Sequence, residues 1–491
     1  MNPDSAASGC RPGPAIQALL GILVLVVGLL GLPAEQYIGD PQAVRMVAWS
    51  LLERGRLDVP TDLAQDAGER GQYFVQNPDN GLFYSKYGEL NSLGYLPAMA
   101  LERSLLGRLE PFNDLATRTV LLNLNNLALS LVLAGLLLAL ACLFTRQPAL
   151  ALVWVLATLY ASFGWNYLRA QTTELLQWTL CTGFFWALFQ LWRSRGHSRW
   201  LGAVHLFLVG LLLTKAVYVL LVPCLLLVGI LVLPSQTSRP RALLGLLGPL
   251  VLMALLVLGL NELKFGSPWS TGYTQWVRER DLFRGDLWAG LLGFLADPQR
   301  SIFLYQALLL PALLALPAFF RRWRVEAVLA WGTLALFLLF HAQTANWAGH
   351  WSYGPRYLLA VLAPATLPAL LALEWLSVRL RTPSGASLAA LLGLILAGSI
   401  WLQVQVNSLG FFTYYQVEAA VRSFPAPRAL AVLQAQPFGV LNGQLRCFVR
   451  TGAFPVFLKE AARELSPEQT ATLAGAVRQR TRGNRMFFPG T

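Results

Sequence analysis

The chain has 491 residues, 55% hydrophobic and 13% charged, where soluble domains run near ~25% charged. With a mean hydropathy of +0.51, these values exclude a disordered chain, a disulfide scaffold and an ordinary cytosolic enzyme, and they point to a bilayer. The formal net charge of +13 does not mark a nucleic-acid binder, because the basic residues fall in short clusters between apolar runs, the pattern of multi-spanning membrane proteins.

Apolar runs that could form spanning helices of ~20 residues lie at about 15–33, 118–145, 148–164, 171–192, 200–214, 216–233, 241–261, 301–320, 325–341, 356–379 and 386–403. The chain is therefore expected to be an all-α polytopic membrane protein with about 11 spans. The first run lacks a small-residue cleavage site and is read as a retained helix. Arg11, Arg146, Arg193/Arg195/Arg199, Arg239/Arg241, Arg321/Arg322/Arg324 and Arg379/Arg381 fall on alternate connections, whose only acids are Asp4 and Glu326. Segment 34–117 carries more acids than bases. The positive-inside rule then puts the amino terminus in the cytoplasm and 34–117 outside. Within that outer loop, Gln42–Glu53 and Leu90–Leu109 read as surface-lying helices, the second with Pro97 near its middle. Residues 1–403 form the expected transmembrane domain, including outer loops 34–117 and 261–300. Residues 404–491 form a small extracytoplasmic tail. The five cysteines (Cys10, Cys142, Cys181, Cys224, Cys447) are scattered without CxxC spacing and predict neither a disulfide nor a zinc site.

Five features on the outer side could carry chemistry. Just after the first run come Glu35 and Asp40. A carboxylate here can act as a general base, although Asp40 before Pro41 also suits an ordinary helix cap. Tyr84-Ser85-Lys86-Tyr87 suits a lipid-borne phosphate, with an ammonium for the charge and rings at the interface. A snorkelling anchor is the plainer reading. Arg169 and Glu174 bracket the mouth of the fourth run, where an acid either pairs with the arginine or faces a wet cavity. Asn261 to Tyr273 carries Gly266, Pro268 and Gly272, which demand turns rather than helix. Finally, His350, Tyr353 and Arg356 lead into the tenth run, and Arg356 beside a Gly-Pro turn is a good anion ligand. Ionisable residues inside the runs are few, Glu374 and Lys215 at most.

The order of these features resembles the GT-C superfamily of membrane glycosyltransferases, which includes protein O-mannosyltransferases and aminoarabinose transferases acting on lipid A. The parallels are an acid after the first span, surface helices in a large first outer loop and Lys86-Tyr87 ahead of the second of them. An acid then opens the fourth span, followed by the FGSPWSTGY loop (265–273) and the YGPRYL segment (353–358). The resemblance covers roughly residues 15–380. It implies inverting transfer of a sugar from a polyprenyl-phosphate carrier in the outer leaflet to an extracytoplasmic glycan, lipid or protein. Asp40 would be the general base and Glu174 the second acid, with Lys86, Tyr87 and Arg356 holding the donor phosphate. Glu35, Tyr84, Arg169, Tyr273, His350 and Tyr353 are further candidates, and Glu35 is the reserve base because Asp40 is followed by Pro41. No Asp-x-Asp occurs in the outer loop, which favours a metal-independent site with no cofactor, a divalent metal staying open. The expected home is a plasma (inner) membrane, with membrane lipids around the chain and no nucleic-acid partner. The competing reading is a transporter or flippase of lipid-linked sugars, which would want outer-leaflet cations too. It would also want ionisable residues within the spans and a discontinuous helix pair.

Overall fold

In the computed structural model, residues 10–33, 39–66, 73–111, 116–232, 238–276, 279–349, 352–409 and 412–483 are described. Each apolar run of the sequence is helical over most of its described length. The first is Pro14–Leu30, opened by a proline that needs no amide partner there and closed at Gly31. Leu19, Ile22, Leu25, Leu29 and Leu30 face outward, as lipid-facing residues do. Ala116–Ala141, Pro148–Tyr160, Glu174–Arg193 and Ser198–Thr214 follow. After them come Val222–Val232, Arg239–Phe265, Leu309–Arg322, Arg324–Ala342 and Pro383–Leu409. Among the described residues, four helices are long and apolar enough to cross a membrane by themselves. Arg356–Ala365 and Ala369–Arg379, bent by 50°, add a fifth if they count as one span. Shorter apolar helices of 10–17 residues, Pro14–Leu30 and Ser198–Thr214 among them, accompany these.

Glu174–Arg193 is the central helix. Trp178, Phe184, Phe185 and Phe189 on it are 0–1% exposed, packed against helices on several sides. Lipid tails are as apolar as these rings, so the gain here is close van der Waals packing rather than escape from water.

The first helix of the loop that follows, Asp40–Arg54, buries Ala43, Val44, Met46 and Ala48 in a second core with Tyr87, Tyr95 and Met99. This loop departs from the expectation in two ways. The proposed 90–109 helix is two helices, Glu89–Leu93 and Leu96–Leu106, parted at Gly94. Pro97 stands in the first turn of the second helix, the position where its missing amide costs nothing. The loop also contains a small sheet, which an all-α reading omits. Strand Phe83–Ser85 lies between Asp58–Val59 and Phe74–Gln76, both antiparallel to it, with Tyr84 opposite Asp58 and Val75. Strands of two or three residues are too short to show a period of two.

A further correction concerns the cysteines. Cys10 and Cys142 form a disulfide across 132 residues of sequence, because the start of the first helix packs beside the end of Ala116–Ala141. Cys10 N–H also donates to the carbonyls of Cys142 and Thr145. Cys181 and Cys224 are buried thiols and Cys447 is exposed.

Past Leu409 the tail is helical: Phe412–Arg422, Pro427–Gln434, Phe438–Thr451, Val456–Glu464 and Pro467–Gly483. Phe438 packs on Tyr353 and Tyr414, and Arg300 donates to the carbonyls of Ser352 and Gly354 and to the Tyr415 hydroxyl. The tail thereby braces the backbone just ahead of Arg356.

Candidate active site

Asp40 is the first residue of its helix, after Gly39 at a positive φ of 79°. It does not cap that helix through its side chain. Its carboxylate instead accepts a hydrogen bond from the Tyr87 hydroxyl and lies 3.7 Å from Arg356 Nη1. With the helix amides behind it, the position favours a negative group.

Glu174 opens the central helix and lies 3.8 Å from the same Nη1. Arg169 is occupied elsewhere: its guanidinium donates to the Gly31 carbonyl and, at 2.7 Å, to that of Asn407. It ties the end of the first helix to Pro383–Leu409. Arg356 follows Gly354 (φ 61°) and Pro355, at the start of a single 3-10 turn. Its guanidinium rests over the Tyr357 ring at 5.1 Å, and Tyr357 stacks on His341 with ring centroids 4.7 Å apart. Its Nε is buried and has no hydrogen-bond partner among the described residues. One cation thus stands between two carboxylates, within hydrogen-bond distance of neither.

Lys86 leaves the end of the Phe83–Ser85 strand, held by its N–H to the Tyr73 carbonyl at 3.2 Å. Its ammonium sits among the rings of Tyr73, Tyr87 and Tyr273 at 5.6, 5.2 and 5.7 Å. Rings lend it cation–π attraction without replacing water fully. Burial therefore pulls its pKa down to about 8; Asp40 opposes the shift, while Arg356 and Lys215 add to it. Burial, reinforced by Asp40, raises the Tyr87 and Tyr273 hydroxyls well above their usual range, so both remain proton donors. Two close backbone approaches fix the segment that carries the lysine. A Cβ on Gly272 would meet Lys86 Cα at 2.3 Å, and one on Gly88 would meet the Leu213 carbonyl oxygen at 2.2 Å.

The structure thus gathers Asp40, Lys86, Tyr87, Glu174, Tyr273 and Arg356. Tyr84 points instead into a small separate core with Val75 and Phe265. Tyr353 bonds Gln403 and accepts from Tyr167 through its carbonyl, serving the packing of the tail. Glu35 and His350 lie outside the described residues.

Sequence reasoning missed the floor of the site. Lys215 breaks the helix that ends at Thr214, in an extended conformation (φ −162°), and its ammonium lies 4.7 Å from the centre of the Tyr357 ring. With Glu174, Gln177, Tyr218, His341 and Arg356 it lines a small cleft. The available signal was a lone lysine between two apolar runs, which is costly in a bilayer unless it faces a wet or functional cavity. Among the described residues no three His, Cys, Asp or Glu side chains group closely enough to hold a metal ion.

No family model matches the chain, and no curated protein matches it in sequence. Solved structures do. ArnT from Cupriavidus metallidurans in the apo state superimposes with a TM-score of 0.51 at 15% identity, covering 94% of this chain and 75% of that one. The same protein bound to undecaprenyl phosphate gives 0.50 at 16%, covering 95% and 77%. The archaeal oligosaccharyltransferase AglB from Archaeoglobus fulgidus, in complex with an inhibitory peptide and a dolichol-phosphate, gives 0.50 at 10%. That match covers 86% of this chain and 59% of AglB. ArnT and AglB are both GT-C superfamily members, and over most of its length this chain has the GT-C fold.

Proposed function

We propose that the protein is a GT-C-type glycosyltransferase that moves a sugar, with inversion, from a polyprenyl-phosphate carrier to an acceptor outside the cytoplasm. The observation that carries this reading is the arrangement around Arg356: two carboxylates beside a cation whose Nε is unused, with a second buried cation, Lys86, beside Asp40. Both the undecaprenyl phosphate of the ArnT structure and the dolichol-phosphate of the AglB structure are ligands of the proposed kind.

In this reading the acceptor hydroxyl attacks the anomeric carbon, its proton passes to Asp40, and the bond from that carbon to the phosphate oxygen breaks. The leaving group departs as free polyprenyl phosphate. Charge builds on the phosphate as it leaves, so fixed cations at Lys86 and Arg356 stabilise the transition state more than the bound donor. Glu174 holds Arg356 and the sugar from the other side, which contributes orientation. The amino terminus and the arginine clusters would face the cytoplasm, with the site outside.

The decisive experiment uses purified protein in lipid, polyprenyl-phosphate sugar and an extract of candidate acceptors, with release of free polyprenyl phosphate as the readout. Movement of the lipid-linked sugar between leaflets without any release would replace this reading by the transporter. Orientation is read separately by labelling Arg108→Cys and Ser194→Cys from outside in a Cys447→Ser background. The first should react and the second should not.

A further inference from the structure

We propose that the arginine-rich end of the helix bundle holds an anionic phospholipid in a groove between Pro14–Leu30, Ala116–Ala141 and Glu174–Arg193. The groove has a volume of about 810 Å³. It lies at the far end of the molecule from Arg356, because Glu174 and Arg193 are the two ends of one 20-residue helix. At 1.5 Å per residue that is about 30 Å, the thickness of a bilayer core.

The body of the groove is apolar, with Leu20, Leu131 and Leu138 on its walls. Gly21 and Gly135 also line it, and a Cβ built on either would meet nothing within 4 Å. The helices therefore leave an open slot there rather than packing shut. Its rim is cationic. Arg11, Arg193 and Arg199 line it together with Gln17 and Gln190, and no carboxylate lines it among the described residues. Arg193 is anchored by Glu326 at 3.1 Å and by the Leu143 carbonyl at 2.5 Å. Its remaining Nη2 is buried without a hydrogen-bond partner among the described residues. Arg11 and Arg199 are exposed, and Arg199 stands over Trp200, whose ring meets Trp186 edge-on at 4.9 Å.

An anionic phospholipid matches both halves of this groove. An acyl chain fills the slot, and the headgroup phosphate takes the guanidinium donors in charge-assisted hydrogen bonds. A zwitterionic lipid fits the slot equally well but brings its own ammonium against three arginines, so charge is what selects the occupant.

The test is competitive lipid retention. Full-length protein is delipidated in detergent and incubated with equal amounts of phosphatidylglycerol and phosphatidylcholine, and bound lipid is counted by native mass spectrometry. Wild type should retain the anionic lipid on the order of tenfold better, as each basic side chain near a lipid phosphate contributes modestly. The double variant Arg11→Gln/Arg199→Gln should lose that preference. Gly135→Phe should lower retention of both lipids by filling the slot. Equal retention of the two lipids by wild type overturns the proposal, as does a double variant that still discriminates. Should Gly135→Phe fail to fold, the double variant decides alone, since both its sites are exposed. None of these residues approaches Asp40 or Arg356, so the outcome is independent of the transferase reading.

Discussion

Arg118 and Arg356 both lie beside carboxylates, and their surroundings differ in kind. Arg118 is 2% exposed and fully engaged: Nε donates to Glu102 at 2.7 Å, and its other nitrogens donate to the carbonyls of Pro111 and Glu110. Arg356 is 20% exposed, stands 3.7 and 3.8 Å from its two carboxylates and keeps a buried nitrogen unused. A charge pair closed on itself holds a fold together, since removing one partner strands the other in a poor solvent. A pair held apart leaves donors available to a third anion. The contrast separates a structural cation from one poised for a ligand, although both read simply as arginine near acid.

The strongest challenge to this contrast is Asp40→Asn. A general base contributes about 10²–10⁴-fold, so free carrier release should fall by that factor while donor binding, followed by equilibrium titration, stays close to wild type. Full activity in this variant would move the base to Glu35. Next come the two arginines themselves. Arg356→Ala should cost about 10²–10³ in transfer, as loss of one charge-stabilising donor does, with little change in thermal midpoint. Arg118→Ala should destabilise by about 3–5 kcal/mol, and the protein that remains folded should turn over normally. If both variants lose stability and activity in parallel, the distinction drawn here fails.

A finer version compares Glu174→Gln with Arg169→Gln. Were they an ion pair, the two changes would resemble each other. With Arg169 bonded to backbone carbonyls and Glu174 facing Arg356, Glu174→Gln should slow transfer at least about tenfold, and Arg169→Gln should mainly lower stability. The smallest effect is a pH signature of Lys86. Its pKa of about 8 in the folded protein lies below the ordinary 10.5, so the ammonium that grips phosphate is lost as pH rises through about 8. The value of kcat/KM should fall above that point. Stability should move the other way: from about pH 8 to 10.5 the unfolded lysine keeps a proton that the folded one has released, so raising pH favours the fold. Lys86→Met should abolish both trends.

Helices were readable because twenty apolar residues in a row leave few alternatives, and the motif at 353–358 was readable because Gly354 and Pro355 force a turn before Arg356. The sheet was not, since its strands have two or three residues. Asp40 could be read as a cap or as a base, and only the third dimension assigned its carboxylate to Tyr87 and Arg356. Lys215 was visible as an oddity among apolar residues, but its neighbours Tyr357 and Glu174 come from distant segments. The Cys10–Cys142 pair is likewise a contact of tertiary packing, with no spacing to announce it.

The backbone contacts at Gly88 and Gly272 have a consequence for redesign. Gly272 lies against the Lys86 backbone and Gly88 against the Leu213 carbonyl, so main-chain contacts fix the segment that carries the lysine. Any residue larger than glycine at either place would displace the loop as a whole. The cleft floor is different: Gln177, Tyr218 and His341 line it, and none of them is a glycine pressed against backbone. Donor preference should therefore be open to alteration by mutating those three, with the phosphate grip left intact, whereas libraries built on 88 or 272 should return mostly inactive protein.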